Sequence, residues 1–186
     1  SLTLRGAGVS LRYSTRDSEF TPQSGRIVEA SAVWYDHRLA SQATFRGEQL
    51  RYREYIGLGR GQKFGLLATD LSYEGATGNV PFRKLGRLGG QYRLRGHFLG
   101  RFRDRFLAAV QLGHRYFWTE RFGTALFAAS GKVGPQVNKL FQRRAITTYG
   151  YGIRYLVLKD QKVGFRLDFA DGDDETAVYF GVGEAF

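Results

Sequence analysis

The chain has 186 residues, and its Lys+Arg 28 against Asp+Glu 17 give a formal net charge of +11 at pH 7. It contains no cysteine, which excludes a disulfide framework and any thiolate metal site. Its longest uninterrupted apolar runs are far shorter than the roughly 20 residues that a transmembrane helix needs, so a helical membrane anchor is excluded.

Strands follow one another along the whole chain, because apolar residues alternate with polar or small ones at a period of two. In chain order the predicted strands are 5–15, 26–36, 42–54, 64–74, 102–116, 122–132, 145–157, 162–170 and 175–186. The third is the weakest, since it offers only Phe45, Leu50 and Tyr52 for burial. The clearest is "KVGFRLDFA" (162–170), where Val, Phe and Leu alternate with Gly, Arg and Asp.

Strand length separates a membrane barrel from a soluble sheet. Most of the predicted strands are longer than the roughly 5–6 residues of soluble strands and match the 9–11 residues of transmembrane barrel strands. Aromatic residues gather near their ends, as in interfacial girdles. We therefore predict an all-β fold, an antiparallel transmembrane β-barrel, with residues 1–186 as one domain and no periplasmic domain within them.

The strand number and the connections are less simple. Bacterial single-chain barrels have even strand numbers, so nine candidates predict about eight strands, without 5–15 or 42–54, or else half of a larger barrel. An eight-stranded barrel holds only side chains, so the long connection 75–101 would cap it from outside, or two chains would join edges as a homodimer. The connections on one side of the sheet, shorter in total, are 158–161, 117–121, 55–63 and 16–25. Those on the other side are 171–174, 133–144, 75–101 and 37–41. Outer-membrane barrels have short periplasmic turns, so this difference predicts a periplasmic C-terminus.

Six short stretches, in order, carry a family resemblance. They are "STRDSEFTPQSGR" (14–26), "GNVPF…LGRLGGQYRLRGH" (78–97), "LFAASGKV" (126–133), "YGYGIRY" (149–155), "VGFRLDFA" (163–170) and the final "GEAF". Together they resemble the C-terminal barrel of the BamA-like superfamily of outer-membrane assembly and translocation proteins, also called bacterial surface antigens. The resemblance covers nearly the whole chain.

The resemblance implies a role in inserting barrel proteins into the outer membrane of a Gram-negative bacterium, or in passing polypeptide across it, without enzymatic activity. The implied partners are outer-membrane lipid, lipopolysaccharide and, through the C-terminal strand, the barrel-assembly machinery. A terminal aromatic residue on an alternating strand resembles the insertion signal of such barrels. Phe186 would carry this signal, on one face with Val182 and Phe180.

The loop signature of the family falls on Gly89, Gly90 and the triplet Arg95, Gly96 and His97, where His97 takes the place of the usual aromatic residue. By resemblance, the arginine at the tip of this loop lies in the barrel lumen and pairs with carboxylates of the inner wall. A guanidinium with five donors suits such bidentate pairing.

The usual acidic partners of this arginine are absent, since the corresponding positions are Ala129 and Gly113. Asp168 faces inward by alternation and is the predicted substitute, unless Arg166 or Arg154 already occupies it. These departures leave two points open: whether Arg95 holds the loop in the lumen, and whether the chain has full assembly activity. The alternative is a short barrel acting as a pore or structural scaffold.

A third reading starts from the five arginines and interleaved aromatics of "YRLRGHFLGRFRDRF" (92–106), which taken alone fit a soluble basic β-domain that binds nucleic acid. Alternating strands on both sides favour the membrane reading, so we expect no nucleic-acid partner. We also expect no cofactor and no metal, because His37, His97 and His114 lack metal-ligand spacing.

Overall fold

The structure is a computed structural model that describes residues 2–59, 64–158, 163–173 and 175–186. Its strands are β1 (Gly6–Ser14), β2 (Gly25–Tyr35), β3 (Phe45–Leu58), β4 (Phe64–Gly78), β5 (Gly86–Leu88), β6 (Phe102–Asp104), β7 (Phe106–Phe117), β8 (Phe122–Gly134), β9 (Ile146–Leu158), β10 (Val163–Gly172) and β11 (Thr176–Val182). Helical structure is limited to short pieces, namely the 3-10 turns His37–Leu39 and Phe82–Lys84 and the helix α1 (Val137–Leu140). No helix among the described residues is long and apolar enough to cross a membrane.

Nine strands form one antiparallel sheet in the order β1-β2-β3-β4-β7-β8-β9-β10-β11, and β5 pairs with β6 in a separate small hairpin. Each large strand pairs with the next large strand along the chain, so the sheet is an up-and-down meander. The predicted all-β antiparallel fold is confirmed. All nine predicted segments contribute a strand to the sheet.

The segments 5–15 and 42–54 are both strands of the sheet, so the prediction that one of them drops out is wrong. Polar pairing explains why the weakly apolar β3 still forms a strand. Its inward Arg51 donates to Asp70 of β4 at 3.1 Å, and Arg53 donates to Glu29 of β2 at 2.8 Å. Side-chain pairs across neighbouring strands stabilise a sheet as burial does.

Two other predicted strands have different limits. Residues 102–116 divide at Arg105, because Phe102–Asp104 belongs to the small hairpin and only the part from Phe106 onward joins the main sheet. The last strand ends at Val182 instead of continuing to the final residue. Gly183 follows it with φ +73, a left-handed conformation that turns the chain out of the strand.

The sheet has two free edges among the described residues, β1 and β11, so it is not closed. It is curled, because the residues that follow β11 hydrogen-bond with the turn that follows β1. Every residue of β1 is exposed, on both of its faces. Because all eight neighbouring pairs are antiparallel, the first and ninth strands run in the same direction. Closing these nine strands on themselves would therefore require one parallel pair.

The outer face of the sheet is apolar and exposed, while its inner face is polar and buried. Along β10, Phe165 is exposed and its neighbours Arg166 and Asp168 are buried. A monomeric soluble protein rarely exposes a continuous apolar face. Exposed large apolar residues of the nine strands include Val9, Leu11, Leu50, Ile56, Leu67, Leu71, Val110, Leu112, Leu126, Tyr151, Ile153, Val178 and Phe180.

The connection between β4 and β7 lies inside the curled sheet. We call its residues 79–105 the interior loop. Its Leu88 and Leu94 are fully buried against Leu107, Ala109 and Ala129 of the inner face. The prediction that this connection caps the barrel from outside is wrong, because an open nine-stranded sheet leaves room that a closed eight-stranded barrel would not have.

Not every predicted connection can be described. The turns predicted at 55–63 and 158–161 include residues 60–63 and 159–161, which lie outside the described residues. The turn between β1 and β2 reaches across the sheet, where the main-chain N–H of Glu184 donates to Phe20 O at 3.1 Å. This end of the interior is therefore covered by a turn and by the C-terminal residues.

Candidate functional site

The tip of the interior loop rests on the last two strands. Gly96 has φ +110, a left-handed conformation that favours glycine. A Cβ there would also lie 2.8 Å from Gly172 N of β10, so both the backbone conformation and the available space require glycine. The Gly96 N–H donates to the hydroxyl of Tyr179 at 3.1 Å, and that hydroxyl donates to His97 O at 3.1 Å. Glycine conformation and one tyrosine thus hold the tip against β10 and β11.

The two glycines before the tip shape the loop itself. Gly89 and Gly90 have φ +106 and +84, and a Cβ at Gly89 would lie 2.2 Å from Phe98 O. The Gly90 N–H donates to His97 O at 2.8 Å, which closes the loop across its tip. The sequence-predicted loop residues are therefore neighbours in space.

Asp168 lies at the centre of the interior and is fully buried. Arg95 of the loop and Arg166 of the same strand donate to its Oδ2 at 2.7 and 2.8 Å, and Arg154 of β9 donates to its Oδ1 at 2.7 Å. All three guanidinium groups are nearly inaccessible to water. One carboxylate therefore holds the loop and two strands together by charge-assisted hydrogen bonds.

Glu184 provides a second carboxylate beside the first. Its side chain accepts from Arg154 Nε at 2.9 Å and forms an ion pair with Arg115 Nε at 3.3 Å. Arg115 also donates to the main-chain oxygen of Phe186. We call Arg95, Arg115, Arg154, Arg166, Asp168 and Glu184 the interior network. It joins β7, β9, β10, the C-terminal residues and the interior loop.

Arg95 has an aromatic environment as well as an ionic one. Its guanidinium carbon lies 3.4 Å from the ring centroid of Phe127 and 5.4 Å from that of Phe186. Burial lowers the pKa of Arg95 to about 10, although Asp168 acts in the opposite direction. The group remains charged at neutral pH, so cation–π contact and ion pairing both act on it.

His97 lies beside the tip in a polar setting. Its Nδ1 is 3.6 Å from a Glu175 oxygen, and its ring meets Phe102 edge-on at 5.1 Å. Arg101 pairs with the same glutamate, and this pairing holds the pKa of Glu175 below its ordinary value. His97 thus fills the aromatic position of the loop signature by contacts to a ring and to an acid.

Ala129 and Gly113, where the family resemblance leads one to expect acids, serve apolar packing. Ala129 lies under Leu88 and Leu94 of the interior loop. A Cβ at Gly113 would lie 3.0 Å from Cζ of Phe186, so the ring occupies the space of the missing side chain. The carboxylates that meet the arginines come from β10 and the C-terminal residues instead.

The predicted insertion signal is divided between the two faces. Val182 and Phe180 are 59% and 67% exposed on the outer face, whereas Phe186 is 4% exposed inside the sheet. The prediction that Phe186 shares their face is wrong, because the turn at Gly183 directs the chain inward. Phe186 packs there with Tyr55, Leu66, Ala68 and Ala185. Its role in an insertion signal stays a prediction.

Sequence reasoning missed Glu184, Arg115 and Tyr179 as parts of this site. A signal for the first was present, since Glu184 interrupts the apolar alternation of the last segment. Arg115 and Tyr179 occupy inward positions by alternation, but nothing in the sequence ties them to the loop. The network binds polypeptide segments together, and among the described residues no cluster of His, Cys, Asp or Glu fits a metal ion.

A family model described as the Omp85 superfamily domain matches residues 3–186, nearly the whole chain. No curated protein matches it.

Proposed function

Because the chain belongs to the Omp85 superfamily, whose members are barrel proteins of the bacterial outer membrane, we propose that it acts in inserting or translocating polypeptides at that membrane. The resemblance to BamA-like surface antigens is thereby confirmed. The proposal assigns no enzymatic activity and directs the C-terminus to the periplasm, which leaves the interior loop at the outer end.

Among the described residues, β1 and β11 each have an unpaired edge, and we call the gap between them the open seam. This seam is the observation that supports the function. In lipid, the unpaired N–H and C=O groups of two free strand edges are costly and favour acquisition of a partner strand. Since the two edges run in the same direction, one added strand running the opposite way would be antiparallel to both. A polypeptide segment can thus complete the wall without a parallel pair.

The direction of the two edges argues against a homodimer. Two copies inserted in one orientation would bring together edges that run in the same direction, so each junction would be parallel. Parallel pairs are slightly less stable per residue than antiparallel ones. A client strand or a strand of the assembly machinery is therefore the preferred partner.

A pore is the weaker alternative, because the interior loop and Phe186 occupy the inside of the sheet. A structural scaffold without insertion activity remains the main competitor. Nucleic-acid binding is disfavoured, because it would need exposed arginines in 92–106 and some of these are buried or paired with carboxylates. Arg95 is 3% exposed, and Arg93 pairs with Glu74.

A reconstitution experiment separates insertion from scaffolding. Vesicles containing the chain should fold an added, urea-unfolded small outer-membrane barrel faster than empty vesicles do, measured by the gel shift of the folded client. The N–H groups of successive residues in β1 point alternately toward β2 and toward the open edge. Of the two variants Val9→Pro and Ser10→Pro, one therefore removes only an N–H donor of the open edge.

That edge variant should keep its own folded stability and lose the acceleration. Its partner variant breaks the β1–β2 ladder and serves as the control for a general loss of structure. Full acceleration by the stable edge variant would contradict a role for the seam. Equal client folding in vesicles with and without the wild-type chain would favour the scaffold.

A further inference from the structure

A cavity of about 780 Å³ lies between the interior loop, strands β3 and β4, and the edge strand β11. Loop residues 83–85, 87, 89–93 and 98–99 supply one wall. Gln49 and Arg51 of β3 and Glu74 of β4 supply a second, and Tyr179 of β11 a third. Since β11 forms one end of the sheet and β3 lies near the other, the cavity lies at the seam. No residue of the interior network lines the cavity, and the two are joined where Arg166 donates to Gln91 of the cavity wall at 3.0 Å.

The cavity is strongly basic. Five cationic side chains line it with a single carboxylate, that of Glu74, and these cations are Arg51, Arg83, Lys84, Arg87 and Arg93. Arg93 pairs with Glu74, and Arg51 pairs with Asp70. The other three cations have no carboxylate within ion-pair distance in the described part of the chain.

The hairpin at this cavity places like charges together. Arg87 of β5 stands directly opposite Arg103 of β6, an arrangement that is destabilising in an antiparallel pair. Within the described ranges, the Lys84 ammonium contacts the Tyr35 hydroxyl at 3.5 Å and the face of the same ring at 5.4 Å. A bound anion would relieve this repulsion.

Apolar side chains of the loop adjoin these charges. Phe98, Leu99 and Tyr92 line the cavity and are 63%, 60% and 55% exposed. A ligand that satisfies both features carries phosphate on one part and hydrocarbon on another, because clustered Arg and Lys bind phosphate strongly. We propose that this cavity binds the phosphate groups of a lipid headgroup that enters through the seam. With the proposed orientation, this is a phosphorylated glycolipid of the outer leaflet.

Native mass spectrometry of the detergent-folded chain tests the proposal with bis-phosphorylated lipid A as the probe. We expect one bound lipid, and at least about tenfold weaker binding by the triple variant Arg83→Gln/Lys84→Gln/Arg87→Gln. The matched control is Lys139→Gln/Arg143→Gln/Arg144→Gln, which makes the same change in charge at exposed positions of another connection on the same side of the sheet. The control should bind like the wild type.

Two further probes identify the chemistry. Dephosphorylated lipid A should not bind, and inorganic pyrophosphate should bind more weakly than the glycolipid, because it lacks the apolar part. Equal losses in both triple variants, or equal binding of the dephosphorylated lipid, would overturn the site. Pyrophosphate binding as tight as the glycolipid would overturn the lipid source, and an acidic peptide that binds where lipid A does not would replace the ligand. Client folding is measured separately, so either proposal can fail alone.

Discussion

Asp168 is the residue on which the interior network depends, because it accepts from three buried guanidinium groups. Loss of Asp168 leaves Arg95 without this carboxylate partner. Loss of Arg95 still leaves Asp168 paired with Arg154 and Arg166. Removing one partner of a buried ion pair is costly mainly through the charges left uncompensated. The two sides of the pair therefore differ in their expected effects.

Asp168→Asn should lower the free energy of unfolding by about 3–5 kcal/mol, because three buried cations lose their acceptor. Arg95→Ala should lower it by about 1.5–3 kcal/mol, the range for a hydrogen bond to a charged group. Arg144→Ala, at an exposed position, should change it very little. Urea unfolding in lipid vesicles measures all three. An Arg95→Ala effect as small as that of Arg144→Ala would place the loop tip outside the sheet.

Phe186 gives a second test at this scale. Its side chain is buried next to Gly113 and Leu66, so Phe186→Ala should lower the free energy of unfolding by about 3–5 kcal/mol. If Phe186 were only an insertion signal, Phe186→Ala would slow assembly in cells and leave the free energy of unfolding unchanged. Measuring both quantities on the same variant distinguishes the two roles.

Alternation predicted much of this site and failed where the chain leaves the strand. The inward direction of Asp168, Arg166 and Arg154 follows from the period of two along β9 and β10. The position of Phe186 does not, since one left-handed glycine at 183 reverses the face. No local pattern shows that a loop more than 70 residues away reaches Asp168, as the Arg95–Asp168 contact does.

Among the elements, β3 and the small hairpin show what apolar periodicity leaves out. β3 has few apolar residues, and it is held by charge pairs to strands on both sides, to Glu29 and to Asp70. The β5–β6 hairpin lies inside a connection, where burial between loop and wall replaces alternation. Long strands with an apolar face were predictable, and strands stabilised by polar neighbours were detected only weakly.

The outer face of β11 is the element whose environment is simplest to test. Phe180→Arg places a charge on the apolar face and should cost about 2–4 kcal/mol if the site lies near the middle of the membrane. Ser10→Arg, on the exposed inner side of β1, is the control and should cost close to nothing. Unfolding in lipid vesicles measures the difference. Equal effects for the two variants would reverse the assignment of the faces.

At the scale of the whole molecule, the proposed function rests on the two edges of the nine described strands. Nine antiparallel strands leave two edges of the same direction, and β1 at one of them is exposed on both faces. The interior loop and Phe186 pack against the inside of this sheet, so the described strands enclose a packed interior without closing around it. The sequence predicted the strands, but closure depends on pairing between segments far apart, which no local pattern encodes.

Photo-cross-linking in cells tests the open seam most directly. A benzophenone amino acid is placed at Leu11 of β1 or, as the control, at Leu126 of β8 within the continuous wall; the two side chains are 68% and 62% exposed, so they are matched in access. We expect Leu11 to cross-link to another polypeptide and Leu126 not to do so. A cross-link from Leu11 only to β11 of its own chain would show that the barrel closes on itself and would contradict the open seam.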